Sequence, residues 1–222
     1  MRKEKVKKFE AGIYIIPLIL PESLEEQRDK LEQIFIAAQR RLQQFAKRNG
    51  WGNLVKENFM DRAEIFDGQD KLMERAFEIT NAPPSTEFPK QFSACLEYKI
   101  FMSVSPQLYS QIYPEDTDKN AFEKLISHEM AHRLHIRILN GNEEAMGPIW
   151  FFEGFALHAA GQFEKYNPKM ETAEVWNIVE SEKRESYKKY APVFRYFLEK
   201  ASVRELIAHA GNKDFFDWLR KI

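Results

Sequence analysis

The apolar residues of the chain recur at helical spacing in several stretches, and the longest of these lies near its start. Over residues 22–48 an apolar residue returns every three or four positions, which predicts an amphipathic helix. Ser23 precedes Glu26 by three residues, the pattern of a capping box, and Asn49 with Gly50 suits the end of the helix. The apolar stripe favours burial in a core, and the alternative is a face that binds a partner.

The second half of the chain is dominated by the same helical period. Residues 118–140 repeat apolar positions at this spacing, and a shorter, almost wholly apolar segment runs from Pro148, a good first residue, to Gly161, a good stop. Further helices are predicted over 171–182, 186–200, 202–210 and 213–221. Pro192 should break the second of these or start a fresh helix.

Between the two long predicted helices the apolar pattern shortens and alternates. It predicts one or two strands in 51–66 and two more in 92–104, with a helix over 71–79 and a proline-containing loop over 81–86. The apolar segment 12–20 is interpreted as a strand or extended segment.

We therefore expect an α+β fold within a single domain. Residues 1–116 should form a helix and a small mixed sheet, and residues 117–222 the helix predicted over 118–140 and a further helical region.

Composition adds limits on the class of protein. The chain has 222 residues, of which 44% are hydrophobic and 30% charged, with a net charge of −1. These values are typical of a globular domain and argue against a nucleic-acid partner. A single cysteine, Cys95, forbids an internal disulfide. The basic and then apolar N-terminus is too short and too interrupted by Pro17 and Pro21 for a signal peptide or membrane span, so we expect a cytoplasmic location.

Two histidines share one face of the helix predicted over 118–140. His128 and His132 are four residues apart, and Glu129 follows the first, which gives the motif H-E-x-x-H. Because residues i and i+4 of a helix lie one turn apart on the same side, both imidazoles can bind one metal ion. The carboxylate of Glu129 can then reach a water on that ion and act as general base. The alternative is a helix whose histidines only form surface hydrogen bonds.

A third ligand is needed, because catalytic zinc takes three protein ligands and a water. Glu153 interrupts the apolar segment after Pro148 and is flanked by aromatic residues. A carboxylate buried without a partner is very costly, so Glu153 should be paired or bound to metal. Gly154 weakens a helix but is tolerable where another backbone passes close by. Both features fit a glutamate directed at the ion from a helix packed on the first.

The order of H-E-x-x-H and then W-x-x-E-G-x-A, here Trp150 to Ala156, resembles the gluzincin metallopeptidases, in particular the compact peptidase MA-like domains. The resemblance implies that His128, His132 and Glu153 bind Zn²⁺, that Glu129 is the catalytic base, and that peptides or proteins are the substrates. A zinc-binding domain without catalysis, with a regulatory or sensor role, is the alternative. A helical scaffold without metal is a further one.

The resemblance also carries expectations outside the two motifs. It implies that residues 98–104 form the edge strand of the sheet, to which an extended substrate would add as a further strand. The segment Y-A-x-x-F-x-x-Y-L of such domains matches a stretch that begins at Tyr190, which would stabilise the oxyanion. Tyr187 is the next candidate for this role and His209 a weaker one. Phe197 stands where a second tyrosine is common in the family.

The chain departs from the family pattern at other positions. Leu157 occupies the place where thermolysin-like members have an acidic residue, which points to the aminopeptidase-like branch. The chain has no G-x-M-E-N-type motif upstream, so binding of a free amino terminus is not supported. His135 lies about 10 Å along the helix axis from His128, too far to share its ion easily, and is expected at the surface or as support for a ligand. His158 is expected to be structural.

Overall fold

The computed structural model describes residues 6–81, 91–114, 118–181, 183–184 and 186–222. Over these residues the fold is α+β, with small sheets in the N-terminal half and mostly helices in the C-terminal half, which confirms the predicted fold class. The chain forms two compact units. The first consists of Met1–Gln43 and Val55–Met130, and the second of Gln44–Leu54 and Ala131–Ile222.

The first unit contains a four-stranded sheet and a separate hairpin. Its strands are β1 (Lys7–Glu10), β2 (Ile13–Ile15), β3 (Leu18–Ile19), β4 (Arg62–Phe66), β5 (Ala94–Glu97) and β6 (Ile100–Val104). The sheet order is β3-β4-β6-β5; β4 runs parallel to β3 and β6, and β5 runs antiparallel to β6. The hairpin pairs β1 with β2. The sheet is thus small and mixed, as predicted.

β6 is an inner strand, which corrects the expectation that residues 98–104 form the edge of the sheet. β4 and β5 flank it, and all of its residues are buried. The chain reverses at Tyr98 and Lys99, whose φ angles of 48° and 60° suit a tight hairpin turn. This turn folds Ala94–Glu97 back along the outer side of β6. An extended substrate therefore has no free edge on this strand.

Four helices contribute to the first unit: α1 (Arg28–Arg48), α2 (Gln69–Thr80), α3 (Pro106–Ile112) and α4 (Ala121–Ile138). Of these, α1 belongs to the unit as far as Gln43, and α4 as far as Met130. α1 confirms the predicted long helix. Glu22–Gln27 form a 3₁₀ helix with Pro21 at its N-cap position and no side-chain cap, so the predicted capping box of Ser23 and Glu26 is wrong. The predicted loop over 81–86 lies outside the described residues apart from Asn81.

α1 connects the sheet to the start of α4. Phe35 packs edge-on against Phe101 of β6, with ring centroids 5.4 Å apart. On the α4 side, Ser127 Oγ donates a hydrogen bond of 3.1 Å to the carbonyl of Ala38. These contacts fix the turn of α4 that precedes His128.

The second unit consists of helices around an aromatic core. They are the remainder of α4, then α5 (Ile149–Ala160), α6 (Thr172–Val179), α7 (Tyr187–Leu198), α8 (Val203–Ala210) and α9 (Phe215–Leu219). α5 packs mainly on α7, with Phe151 5.5 Å from Phe194 and Trp150 5.4 Å from Phe197. The four predicted C-terminal helices are confirmed to within a few residues.

Pro192 lies inside α7, so the predicted break at this residue is wrong. It stands in the second turn of the helix, where its missing N–H removes one hydrogen bond. Both of its neighbours, Ala191 and Val193, are buried, and this packing holds the helix together across the proline. None of the helices in the described part of the chain is long and apolar enough to cross a membrane.

Candidate metal site

Helix α4 carries His128 and Glu129 in one turn and His132 in the next. His128 is 1% exposed, Glu129 is half-buried, and the side chain of His132 is 21% exposed. The helix is continuous from Ala121 to Ile138, so the i, i+4 spacing of the two histidines sets their side chains one turn apart on one face.

Helix α5 brings Glu153 to the same place. Glu153 is 3% exposed within a nearly apolar helix, and its Oε2 lies 3.5 Å from Nε2 of His132. One nitrogen each from His128 and His132 and one oxygen from Glu153 all lie within 4.8 Å of one another. The three residues predicted as ligands are therefore brought together, and the group could hold a metal ion.

The neighbouring Gly154 explains how α5 approaches its partner helix. A Cβ placed on Gly154 would lie 2.7 Å from Cβ of Phe194 on α7, closer than packed carbons allow. The close neighbour is thus a side chain of α7, whereas the sequence suggested a passing backbone. The contact sets the position of α5 on α7 within one turn of Glu153.

The donor set suits zinc in its chemistry, and the pair of His132 and Glu153 also suits it in spacing. Two imidazole nitrogens and one carboxylate oxygen are the ligands of many catalytic zinc sites, which keep a fourth position for water. Ligand atoms bound at about 2.1 Å to a tetrahedral ion lie roughly 3.4 Å apart. The 3.5 Å between His132 and Glu153 is close to this separation.

Arg184 is a residue of this site that the sequence analysis missed. Its Nη2 donates a hydrogen bond to Oε1 of Glu153 and lies 3.3 Å from the hydroxyl of Tyr187. Burial opposes the charge on Arg184, yet the carboxylate of Glu153 and then Tyr187 raise the pKa of the guanidinium above its usual value. The buried carboxylate thus has a cation on one oxygen and faces His132 with the other.

The two candidate tyrosines lie one turn apart on α7. Tyr187 contacts Arg184 through its hydroxyl and also through its ring, which is 5.9 Å from the guanidinium carbon. Tyr190 is 2% exposed and lines a cavity with Trp150 and Val179. The third candidate, His209, stacks on Trp218 with ring centroids 4.1 Å apart.

His135 lies in the core and not at the surface. It is 0% exposed, and its ring is 4.6 Å from that of Phe155 and 5.9 Å from that of Phe151. Neither ring nitrogen has a hydrogen-bond partner among the described residues. Burial, with a smaller contribution from the charge of His132, lowers the pKa of His135 to about 3, so the residue is neutral.

His158 packs against aromatic rings, as expected of a structural residue. Its ring centroid lies 5.7 Å from those of Phe45 and Phe194.

No protein-family model, curated protein or solved structure matches the chain.

Proposed function

We propose that this protein is a zinc-dependent peptidase that hydrolyses peptide bonds with a metal-activated water. The observation that carries the proposal is the convergence of His128, His132 and Glu153, whose ligand atoms lie within 4.8 Å of one another. The position of Glu129 directly after His128 supports hydrolysis in particular, since a structural zinc site has no need of a carboxylate there.

The roles of the residues follow from their chemistry. The two imidazoles and Oε2 of Glu153 would hold the ion, which when bound would lower the pKa of a water and polarise the substrate carbonyl. Glu129 accepts the proton of the attacking water and delivers it to the leaving amine. Arg184 neutralises the oxygen of Glu153 that faces away from His132.

A hydroxyl donor would stabilise the oxyanion that forms during attack. Tyr190 is the candidate that the family resemblance gives. Tyr187 is supported by its contacts, because its hydroxyl lies 3.3 Å from Arg184, which is itself bonded to Glu153. A Phe variant of each tyrosine would assign the role by its effect on kcat.

The first test is the metal content of protein purified without added metal or chelator, measured by elemental mass spectrometry. We expect about one zinc per chain, and His132→Ala and Glu153→Gln should each reduce it strongly. Glu123→Gln, on the same helix and away from the three ligands, is the matched control. Absence of zinc from the wild type, with none taken up on titration, would leave the metal-free scaffold as the better account.

The second test separates a peptidase from an inactive zinc-binding domain. The zinc-loaded protein is incubated with a mixed peptide library, and new termini are identified by mass spectrometry. Cleavage that is lost on chelation and restored by zinc supports the proposal. A protein that binds zinc at one per chain but cleaves no peptide would favour the regulatory or sensor role.

A further inference from the structure

A cavity of about 320 Å³ lies within the helical second unit, beside the start of α5. This volume is near the lower end of the roughly 300–1,000 Å³ of ligand pockets, and it suits one large side chain better than an extended ligand. The cavity is lined by Pro148, Ile149, Trp150, Val179, Glu180, Ser181, Tyr190 and Phe216. Its wall is thus mostly apolar and aromatic. Glu180 is paired with Arg220 at 2.7 Å, which compensates its charge.

The residues that line the cavity are close in sequence to the cluster formed by Glu153, Arg184 and Tyr187. Three chain segments each contribute one residue to the cavity and, three positions away, one residue to the cluster. These pairs are Trp150 with Glu153 on α5, Ser181 with Arg184 after α6, and Tyr190 with Tyr187 on α7. On a helix, residues three apart are neighbours on one face. For α5 and α7 the cavity residue and the cluster residue therefore lie side by side on one helix face, which gives a shared surface, whereas Ser181 and Arg184 lie outside a helix.

Arg184 has further hydrogen-bond donors on this surface. Both of its hydrogen bonds to described residues use Nη2, so within the described part of the chain Nε and Nη1 remain for another acceptor. The side chain is 43% exposed, and its tie to Glu153 restricts its movement. A guanidinium held in this way can donate a charge-assisted hydrogen bond from Nε or Nη1 to a carboxylate.

We propose that this surface binds the carboxy-terminal residue of a peptide substrate, with its carboxylate on Arg184 and a large apolar or aromatic side chain in the cavity. This inference rests on the proposed peptidase function and makes the protein a carboxypeptidase. Consecutive residues of a peptide are about 3.8 Å apart. Arg184 is one hydrogen bond away from Glu153. A peptide could therefore place its terminal carboxylate on Arg184 and the carbonyl of the preceding residue at the metal site.

The reaction releases one amino acid. The bond between the carbonyl carbon of the preceding residue and the nitrogen of the terminal residue breaks, and the oxygen of water becomes part of the new carboxylate. The two protons of that water are divided between the leaving amino group and solvent, so no further reactant is needed. The sequence lacks the motif for binding a free amino terminus, which is consistent with recognition from the other end.

The decisive experiment compares matched peptides on the zinc-loaded full chain. The first ends in phenylalanine with a free carboxylate, the second in phenylalaninamide and the third in alanine with a free carboxylate. The preceding sequence is the same in all three, and its amino terminus is blocked. We expect release of phenylalanine, with kcat/KM lower by about tenfold or more for the amide, the factor typical of a lost hydrogen bond to a charged group. The alanine peptide should also be poorer. Equal cleavage of acid and amide, or cleavage at internal bonds only, would overturn the inference.

Two variants assign the effect to these residues. Arg184→Gln should remove the preference for the acid over the amide, while Arg28→Gln, an arginine paired at the surface with Glu25, should keep it. Ile149→Trp, at a 38% exposed position of the cavity wall, should narrow the cavity and reduce the preference for phenylalanine over alanine. If Arg184→Gln keeps the preference for the acid and Ile149→Trp keeps the preference for phenylalanine, the terminal residue does not bind at Arg184 and the cavity.

A binding measurement separates failure of this inference from failure of the proposed function. Zinc-loaded Glu129→Gln is titrated by calorimetry with the acid and amide peptides, which reports binding without turnover. Stronger binding of the acid, lost in the additional Arg184→Gln variant, supports the inference even if the wild type hydrolyses nothing. If neither peptide binds, or both bind equally, the inference is wrong while hydrolysis of other peptides can still stand.

Discussion

Arg184 donates a hydrogen bond to Oε1 of Glu153, and the other oxygen of this carboxylate lies 3.5 Å from Nε2 of His132. The buried glutamate thus lies between a permanent cation and an imidazole. Because a carboxylate that is 3% exposed needs compensation of its charge, Arg184 stabilises the fold when no metal is bound. A metal ion would compensate the same charge from the opposite side.

This arrangement predicts how stability and metal binding are coupled. Arg184→Gln should lower the unfolding free energy of the metal-free protein by about 1–2 kcal/mol, less than for a fully buried pair because Arg184 is 43% exposed. Zinc should then raise the melting temperature of the variant more than that of the wild type. Urea and thermal unfolding with and without zinc measure both effects. An equal zinc-induced shift in variant and wild type would show that Arg184 does not compensate Glu153.

Glu129→Gln should separate metal binding from turnover. Glutamine keeps the size and half-buried position of the side chain but cannot accept the proton of the attacking water. We expect unchanged zinc content and a fall in kcat of about 10²–10⁴-fold, the usual contribution of a general base. Zinc is measured by elemental analysis and kcat on a peptide found in the library. Wild-type turnover by this variant would exclude the proposed role of Glu129.

The group of His128, His132 and Glu153 was easier to predict than its surroundings. His128 and His132 come together because helix geometry alone relates residues i and i+4, and Glu153 stood out as the acidic residue in an apolar helix. Arg184 could not be singled out from 33 lysines and arginines, since its contact with Glu153 depends on how the chain returns after α6.

The fold shows the same limit. Local signals predicted the helices, but the inner position of β6 depends on which strands pair across the sheet. α3 was missed although its signals are local. Ser105 accepts a hydrogen bond from the amide of Leu108, and Pro106 is at the first helical position. A Ser-Pro pair before residues 107–112 could have identified this helix.

Gly154→Ala should destabilise the packing of α5 on α7. The new methyl group would lie 2.7 Å from Cβ of Phe194, so the helices must move apart at a cost of about 1–3 kcal/mol. Gly68→Ala is the control, because the nearest atom to its Cβ would be 4.0 Å away. Urea unfolding measures the stability and elemental analysis the zinc content. A variant as stable as the wild type would show that α5 has freedom to shift.

The lowered pKa of His135 should make the unfolding free energy of the protein fall in acid. Its pKa is about 3 in the folded protein and near 6.5 when unfolded, so the unfolded chain binds one more proton between these values. The stability that depends on neutral His135 is complete above pH 6.5 and is lost as the pH falls towards 3, by at most about 1.4 kcal/mol per pH unit.

His135→Leu should remove this component and raise the unfolding free energy at pH 7 by about 1 kcal/mol, because it replaces two ring nitrogens that have no hydrogen-bond partner among the described residues. Urea unfolding of the metal-free protein at several pH values, for variant and wild type, gives the difference directly. If the two stability curves run parallel from pH 7 to pH 4, burial of His135 does not control the acid sensitivity of the fold.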